Sequence, residues 1–88
     1  MLIALIARDK AGALHIRKDT REAHLAYLQS TGVVSQAGPL IVDGDMAGSL
    51  VILDVADMAA AEDWAANDPY AKAGLFDSVE LIEWKKVI

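Results

Sequence analysis

The sequence predicts a small α+β domain whose elements follow the order strand, helix, strand, strand, helix, strand. The continuous apolar run Leu2–Ala7 and the largely apolar run Ser49–Val55 are too short for helices and are typical of strands covered on both faces. Helix-start signals follow each of them, at Asp19 and at Asp57. In one 88-residue chain this order is the ferredoxin-like βαββαβ arrangement, a four-stranded antiparallel sheet with two helices on one face.

The first helix is predicted to follow a loop over Asp9–Ile16. Asp19–Glu22 has the pattern of a capping box, in which the first side chain caps and the glutamate returns the bond. Leu25 and Leu28 then repeat at helical spacing on one stripe. Gly32 supplies the stop just beyond the helix.

The middle of the chain predicts two strands joined by a turn. The second strand, Val33–Leu40, is expected to end at Gly38–Pro39. Val42–Asp45 carries a turn signal, and Gly48 is expected to end the connection before the third strand.

The second helix is capped by Asp57 and ends at Asp68–Pro69, because the residue before a proline avoids the helical region. Its predicted buried stripe contains Met58, Ala61, Trp64 and Ala65. A loop over Tyr70–Leu75 and a fourth strand over Ser78–Val87 follow. The apolar alternation of that strand changes phase midway, which predicts a β-bulge or a kink.

Size and composition together predict a homodimer. A domain of this size buries only about 60% of its unfolded surface, and the absence of cysteine excludes disulfides as a remedy. Apolar residues nevertheless make up 55% of the chain, more than so small an interior can hide. We therefore expect a second copy to cover the outer face of the sheet.

Charge and hydropathy exclude several classes of partner. The net charge of −5 argues against nucleic acids and anionic membranes, because both need clustered Lys and Arg. Met1–Ala7 lacks the charged segment and the cleavage site of a signal peptide. No apolar run approaches the ~18 residues of a membrane span. We expect no membrane partner and a cytoplasmic protein.

His24 and Asp68 are the candidate catalytic residues. His24 lies beside the apolar stripe of the first helix, and an imidazole both takes and gives protons near neutral pH. Asp68 ends the second helix, and a carboxylate that meets an imidazole fixes its tautomer, as in catalytic triads. Two simpler alternatives stay open here: His24 bonded to a backbone carbonyl, and Asp68 only building the turn before Pro69.

Other polar residues give weaker signals. Arg21, one turn before His24, is predicted either to hold a substrate anion or to form a surface ion pair with Glu22 or a neighbouring acid. His15 lies in a predicted loop, and two histidines with no third suitable ligand make a poor metal site. The serines lie in no nucleophile motif, and the glycines form no phosphate loop. We therefore expect neither a metal nor a cofactor.

Several short motifs, taken in order, resemble the YciI-like (YCII-related) family over residues 1–88. These motifs are Arg21–Leu28 (REAHLAYL), Ala37-Gly38-Pro39, Gly48-Ser49, Asp68-Pro69-Tyr70, Ala73-Gly74-Leu75 and Trp84-Lys85. The family's usual first motif is Arg-Pro-x-His-Leu, and Glu22 here replaces the proline. Because proline is only a helix-start preference, we expect the site to survive this change.

The resemblance implies a ferredoxin-like fold and a dimer in which two sheets pack against each other, a dimeric α/β barrel-type assembly. It also implies a pocket that combines a catalytic pair with substrate-binding residues: His24 and Asp68, then Arg21, Gly38, Pro39 and Ser49. One branch of the family is associated with dehydrochlorination of a hydroxylated aromatic ring. The fold is shared with cofactor-free monooxygenases and muconolactone-isomerase-like proteins, which is analogy alone.

Two functional hypotheses follow from these observations. The first is a small cofactor-free enzyme of lyase or isomerase type, in which His24 and Asp68 act as an acid/base pair on a small organic molecule, aromatic or carbonyl-bearing. The second is a non-catalytic module that binds a small molecule or docks on a partner protein. A further alternative is that the His24–Asp68 contact is only a structural hydrogen bond.

Overall fold

A computed structural model describes all residues from 1 to 88 and confirms the predicted order of elements, with one additional short helix. The elements are β1 (Leu2–Asp9), α1 (Leu14–Thr31), β2 (Val34–Val42), β3 (Asp45–Asp54), α2 (Met58–Asn67), α3 (Pro69–Lys72) and β4 (Phe76–Trp84). The strands form one antiparallel sheet in the order β2-β3-β1-β4. This is the predicted ferredoxin-like fold, whereas its dimeric assembly stays a prediction. None of the helices is long and apolar enough to cross a membrane.

The main core lies between one face of the sheet and the two longer helices. The central strands β1 and β3 contribute alternate apolar residues, α1 contributes Leu28, and α2 contributes Ala61 and Trp64. The predicted buried stripe of α2 is therefore confirmed, and Asp57 caps this helix by accepting a hydrogen bond from the amide of Ala60. Two further side-chain bonds tie the helices together: the Tyr27 hydroxyl donates to the Trp64 carbonyl, and Trp64 Nε1 donates to Thr31.

The opposite face of the sheet is apolar and has no helix on it. Leu50, Ile82 and Trp84 are 39%, 50% and 39% exposed there. Ala4 lies on the same face, opposite Ile82 in the β1–β4 ladder. The prediction that the central strands are apolar on both faces is confirmed.

The first helix begins earlier than its capping signal predicts. It starts at Leu14, its N-cap residue Ala13 makes no side-chain capping bond, and Asp19 lies inside the helix. Tertiary packing overrides the local signal, because Ala13 packs against Tyr70 in a second buried cluster. The predicted stop at Gly32 is confirmed by its left-handed φ of 69°.

The hairpin between β2 and β3 is longer than predicted. Gly38–Pro39 and Gly48 lie inside strands and do not interrupt them. The turn itself consists of Asp43 and Gly44, whose φ values of 51° and 83° suit a tight two-residue hairpin. Gly48 is required for another reason: a Cβ there would collide with the carbonyl oxygen of Ala7 on the neighbouring strand.

The segment after α2 is helical where a loop was expected. The Asp68 side chain accepts from the amide of Tyr70, and Pro69 occupies the first turn, so a new helix begins as soon as α2 ends. Proline suits this position because the first helical amides need no partner inside the helix.

The last strand has no bulge where its apolar pattern changes phase, but it does have an irregularity near its start, where Asp77 is the extra residue. Leu81 and Ile82 pair with Leu5 and Ala4 in continuous register, and the irregularity lies at the Arg8–Asp9 end of the ladder. The apolar pattern changes phase because β4 carries apolar residues on both faces of the sheet. The strand also ends at Trp84, three residues before the predicted end at Val87.

Candidate active site

His24 and Asp68 meet at the junction of three helices. His24 lies on α1, and Asp68 lies between α2 and α3 as the C-cap of one and the N-cap of the other. His24 Nδ1 lies 2.8 Å from Asp68 Oδ1, and the same oxygen accepts from the amide of Tyr70 at 3.0 Å. Both side chains are almost fully buried, with residue exposures of 6% and 1%. His24 is therefore bonded to a carboxylate and not to a backbone carbonyl.

This contact fixes which nitrogen of His24 is available for chemistry. An ionised carboxylate only accepts hydrogen bonds, so Nδ1 donates and the neutral ring presents the lone pair of Nε2. His24 Nε2 has no hydrogen-bond partner. Every fully buried side-chain nitrogen or oxygen in the chain does have one. Nε2 must therefore be accessible from outside, and His24 does line an open cavity.

The ring of Tyr70 packs face to face on the imidazole of His24. The two rings are stacked with centroids 3.8 Å apart and planes 14° from parallel, and the guanidinium carbon of Arg17 lies 4.7 Å from the Tyr70 centroid. Desolvation by burial raises the pKa of Tyr70, which the nearby cations Arg17 and Arg21 offset only in part. The phenol therefore stays neutral at physiological pH and acts as a flat apolar support with a polar tip.

Arg17 is a buried residue that the sequence reasoning missed. It is 3% exposed, its Nε and Nη2 donate to the two oxygens of Asp9 at 2.7 and 2.8 Å, and Nη2 also donates to Ser49 Oγ at 3.0 Å. Desolvation opposes its charge, but hydrogen bonding and attraction from Asp9 outweigh that, so the pKa of Arg17 is raised. With the helix started at Leu14, the spacing of Arg17, His24 and Leu28 on one face would have indicated it.

The cavity beside His24 gathers most of the predicted site residues. It is lined by Arg17, Arg21, His24, Leu25, Leu28, Ala37, Gly38, Pro39, Met46, Ser49 and Tyr70. Its volume is about 80 Å³, and one water needs roughly 10–15 Å³ on the same measure, so it takes a molecule of few atoms unless the ligand protrudes. Asp68 does not line the cavity but lies behind His24, where it contacts the other ring nitrogen.

The remaining candidates are placed as follows. Arg21 is exposed at the rim and forms no ion pair, so the predicted pairing with Glu22 is absent. Gly38 and Pro39 form part of one wall from within β2, where they pair with Leu50 and Ser49 of β3. His15 is exposed on the first turn of α1 and does not line this cavity. The chain contains no cluster of three or more metal-ligating side chains.

The fold and the site together define a class: a small ferredoxin-like α+β protein with a buried histidine–carboxylate pair beside an open cavity. The model of the YCII-related domain matches residues 1–85. The chain belongs to the YCII-related family, as the sequence motifs predicted.

Curated relatives cover the chain from end to end. Protein YciI of Escherichia coli and protein YciI of Shigella flexneri are each 39% identical to it, over 99% of this chain and 99% of theirs. A protein of Haemophilus influenzae is 36% identical with the same coverage. The similarity therefore includes every element described above.

Two solved structures resemble this fold. The 5-chloro-2-hydroxyhydroquinone dehydrochlorinase of Burkholderia phenoliruptrix, in complex with 2,5-dihydroxybenzoquinone, has a TM-score of 0.91 and 34% identity, and the match covers 97% of this chain and 94% of that one. An antibiotic biosynthesis monooxygenase has a TM-score of 0.58 and 14% identity, covering 98% and 100% of the two chains. The second match shows a shared fold alone.

Proposed function

We propose that this chain is a small enzyme that uses His24 and Asp68 as an acid/base pair and needs no cofactor. The observation that carries the proposal is the buried 2.8 Å contact between the two side chains, which leaves His24 Nε2 open to a cavity. A buried carboxylate behind an imidazole favours the charged ring that forms when Nε2 takes a proton. The similar dehydrochlorinase supports an enzymatic role for this family member.

The proposed reaction begins with proton abstraction by His24. Nε2 takes a proton from a C–H or O–H group made acidic by a conjugated carbonyl, and the electron pair of the broken bond moves to the carbonyl oxygen. In an elimination, that pair returns and expels a leaving anion from the neighbouring carbon. In an isomerisation, the imidazolium returns the proton at another atom. Either course gives lyase or isomerase activity.

The cavity favours a flat and acidic substrate. Gly38 presents only backbone to the cavity, because it pairs with Leu50, whose side chain lies on the opposite face of the sheet. No side chain from this position fills the space beside His24, which leaves room for a ring. Arg21 at the rim has no carboxylate partner and attracts an anion. Because the similar dehydrochlorinase binds 2,5-dihydroxybenzoquinone, we propose hydroxylated aromatic or quinone-like compounds as the substrate class.

The experiment measures proton abstraction directly. A panel of chlorinated and unchlorinated hydroxyhydroquinones is incubated with the protein in heavy water, and NMR follows deuterium incorporation while an electrode follows chloride release. We expect exchange or chloride release with the wild type and loss of at least about 100-fold in His24→Ala, the scale of general acid–base catalysis.

His15→Ala is the matched control, because it removes an exposed histidine from the same helix. It should react at the wild-type rate. Equal rates in His24→Ala and wild type would refute the proposed base. Binding of these compounds without any exchange would assign the chain to the non-catalytic alternative.

We also propose that the uncovered face of the sheet binds a second copy of this chain. Leu50, Ile82 and Trp84 expose apolar surface there, and a shallow hollow beside Leu50 and Trp84 is lined by further residues: Gln36, Ala37 and Ile52. A self-complementary apolar face on so small a domain fits a two-fold dimer. The cytoplasm stays the predicted compartment.

Sedimentation at micromolar concentration tests the dimer. The wild type should sediment with twice the chain mass, and Ile82→Lys should give a monomer because it places a charge in the apolar face. Val87→Lys is the control, since Val87 is 81% exposed and lies beyond the last strand. A monomeric wild type would rule out this interface.

A further inference from the structure

Arg17 is held in one orientation with part of its guanidinium unused. Nε and Nη2 are taken by Asp9, and Nη2 also reaches Ser49. Nη1 makes no hydrogen bond of good geometry, although the Tyr70 hydroxyl also interacts with this guanidinium. Every fully buried side-chain nitrogen or oxygen has a partner, so Nη1 is not fully buried. Because Arg17 lines the cavity beside His24, this free nitrogen is accessible from the cavity. Nη1 carries two N–H groups, so at least one of them is left for a ligand even where the Tyr70 hydroxyl accepts from the other.

Ser49 provides a second free donor at the same place. Its oxygen accepts from Arg17 at 3.0 Å, and its own hydrogen is donated to no acceptor in the chain. The residue is 3% exposed and lines the cavity. A hydroxyl whose oxygen already accepts from a cation is polarised, which makes its hydrogen a stronger donor.

Asp9 fixes this arrangement and sets its electrostatics. The two-pronged contact removes the rotational freedom of the guanidinium, so Arg17 pays little ordering cost when a ligand arrives. Attraction from Asp9 keeps Arg17 charged despite its burial. Arg17 therefore serves as a permanent donor and not as an acid, and the role left to it is stabilisation of negative charge.

We infer that Arg17 and Ser49 bind the substrate oxygen on which negative charge develops, with Asp9 as the positioning residue. This inference rests on the proposed function and narrows its substrates to compounds that pass through an enolate or phenolate. When His24 takes the proton, the electron pair of the broken bond ends on that oxygen. Two preorganised donors stabilise it there, whereas Arg21 at the rim only attracts the incoming anion.

The test uses 4-nitrophenol, whose phenolate is coloured, as a probe of oxyanion binding. Its affinity is measured across the pH range in which it ionises, so that phenolate and phenol are compared at one site. We expect the phenolate to bind about 10- to 100-fold more tightly than the phenol, the range for hydrogen bonds to a charged group. Ser49→Ala should reduce this preference about 10-fold, and Arg17→Met should abolish it.

Three variants keep the interpretation clear. Arg8→Gln removes an exposed arginine outside the cavity and should leave the preference unchanged. Ser49→Ala removes one hydroxyl and leaves the Arg17–Asp9 pair intact, so it decides the matter even where Arg17→Met fails to fold. His24→Ala is tested by proton exchange alone, which separates the role proposed for His24 from this inference.

The inference is overturned if the wild type binds phenolate and phenol equally well. It is also overturned if Ser49→Ala shows the same preference for phenolate as the wild type. If His24 is not the base, His24→Ala still catalyses proton exchange, and the wild type still prefers phenolate over phenol. The two hypotheses therefore fail in different experiments. A response of the preference to Arg21→Gln alone would assign anion binding to the rim instead.

Discussion

Asp68→Asn removes the charge of the carboxylate but keeps an oxygen that can accept from both His24 and Tyr70. In the wild type this oxygen lies 2.8 Å from His24 Nδ1 and 3.0 Å from the Tyr70 amide. A hydrogen bond to a charged group contributes about 1.5–3 kcal/mol and a neutral one about 0.5–1.5 kcal/mol. We therefore expect Asp68→Asn to lower the free energy of unfolding by roughly 1–2 kcal/mol.

The same change should have a different effect once His24 is replaced. His24→Phe keeps a flat ring against Tyr70 but leaves the carboxylate of Asp68 buried without its partner, which costs about 3–5 kcal/mol. Adding Asp68→Asn to that variant removes the stranded charge. In this background the change should therefore be neutral or stabilising, which makes the two sites strongly coupled.

Urea unfolding of the four proteins at neutral pH measures this coupling. The experiment is run at two protein concentrations, because association with a second copy also contributes to apparent stability. Sites that do not interact give additive effects within about 0.5 kcal/mol. If Asp68→Asn costs the same in both backgrounds within that margin, the pair contributes no specific interaction and our account of its electrostatics fails.

Two further predictions concern the sheet and the tyrosines. Gly48→Ala should lower the free energy of urea unfolding by about 1–3 kcal/mol, since its Cβ meets the Ala7 carbonyl. Gly38→Ala meets nothing within 4 Å, so its free energy of unfolding should stay within about 0.5 kcal/mol of the wild type. Equal losses in the two variants would contradict this. Desolvation by burial raises the pKa of both tyrosines, Tyr27 and Tyr70, above the free value of 10.0. As the pH rises, the unfolded chain therefore loses its phenol protons before the folded chain does, and the free energy of unfolding should fall above pH 10. If phenolate absorbance of the folded protein appears at the pKa of free tyrosine, the burial of these two phenols is contradicted.

Residue type and local signals made His24 and Asp68 candidates, and the resemblance to the YCII-related family implied that they form one site. The Asp-Pro step ends one helix, so Asp68 had to lie at a junction, and His24 lies at helical spacing beside Leu28. Asp57 and Gly32 marked helix boundaries correctly for the same reason, because caps depend on only a few neighbouring residues.

Signals that depend on distant contacts were misread. The start of α1 depends on Ala13 packing against Tyr70, more than fifty residues later in the chain, and a false capping box at Asp19 outweighed it. With that boundary misplaced, Arg17 fell outside the recognised helical stripe. Its bonds to Asp9 and Ser49 join three separate elements, which no local pattern records.

The sequence by itself determined the order of the elements, the two-faced apolar character of the sheet and the residue types available for acid/base chemistry. These follow from side-chain periodicity and caps, which act over a few residues. Only the tertiary structure decided that Arg17 is buried, that Tyr70 stacks on His24, and that Nε2 is the nitrogen left open. Such properties arise when strands and helices far apart in the chain enclose one small volume, where desolvation and fixed partners set the behaviour of each group.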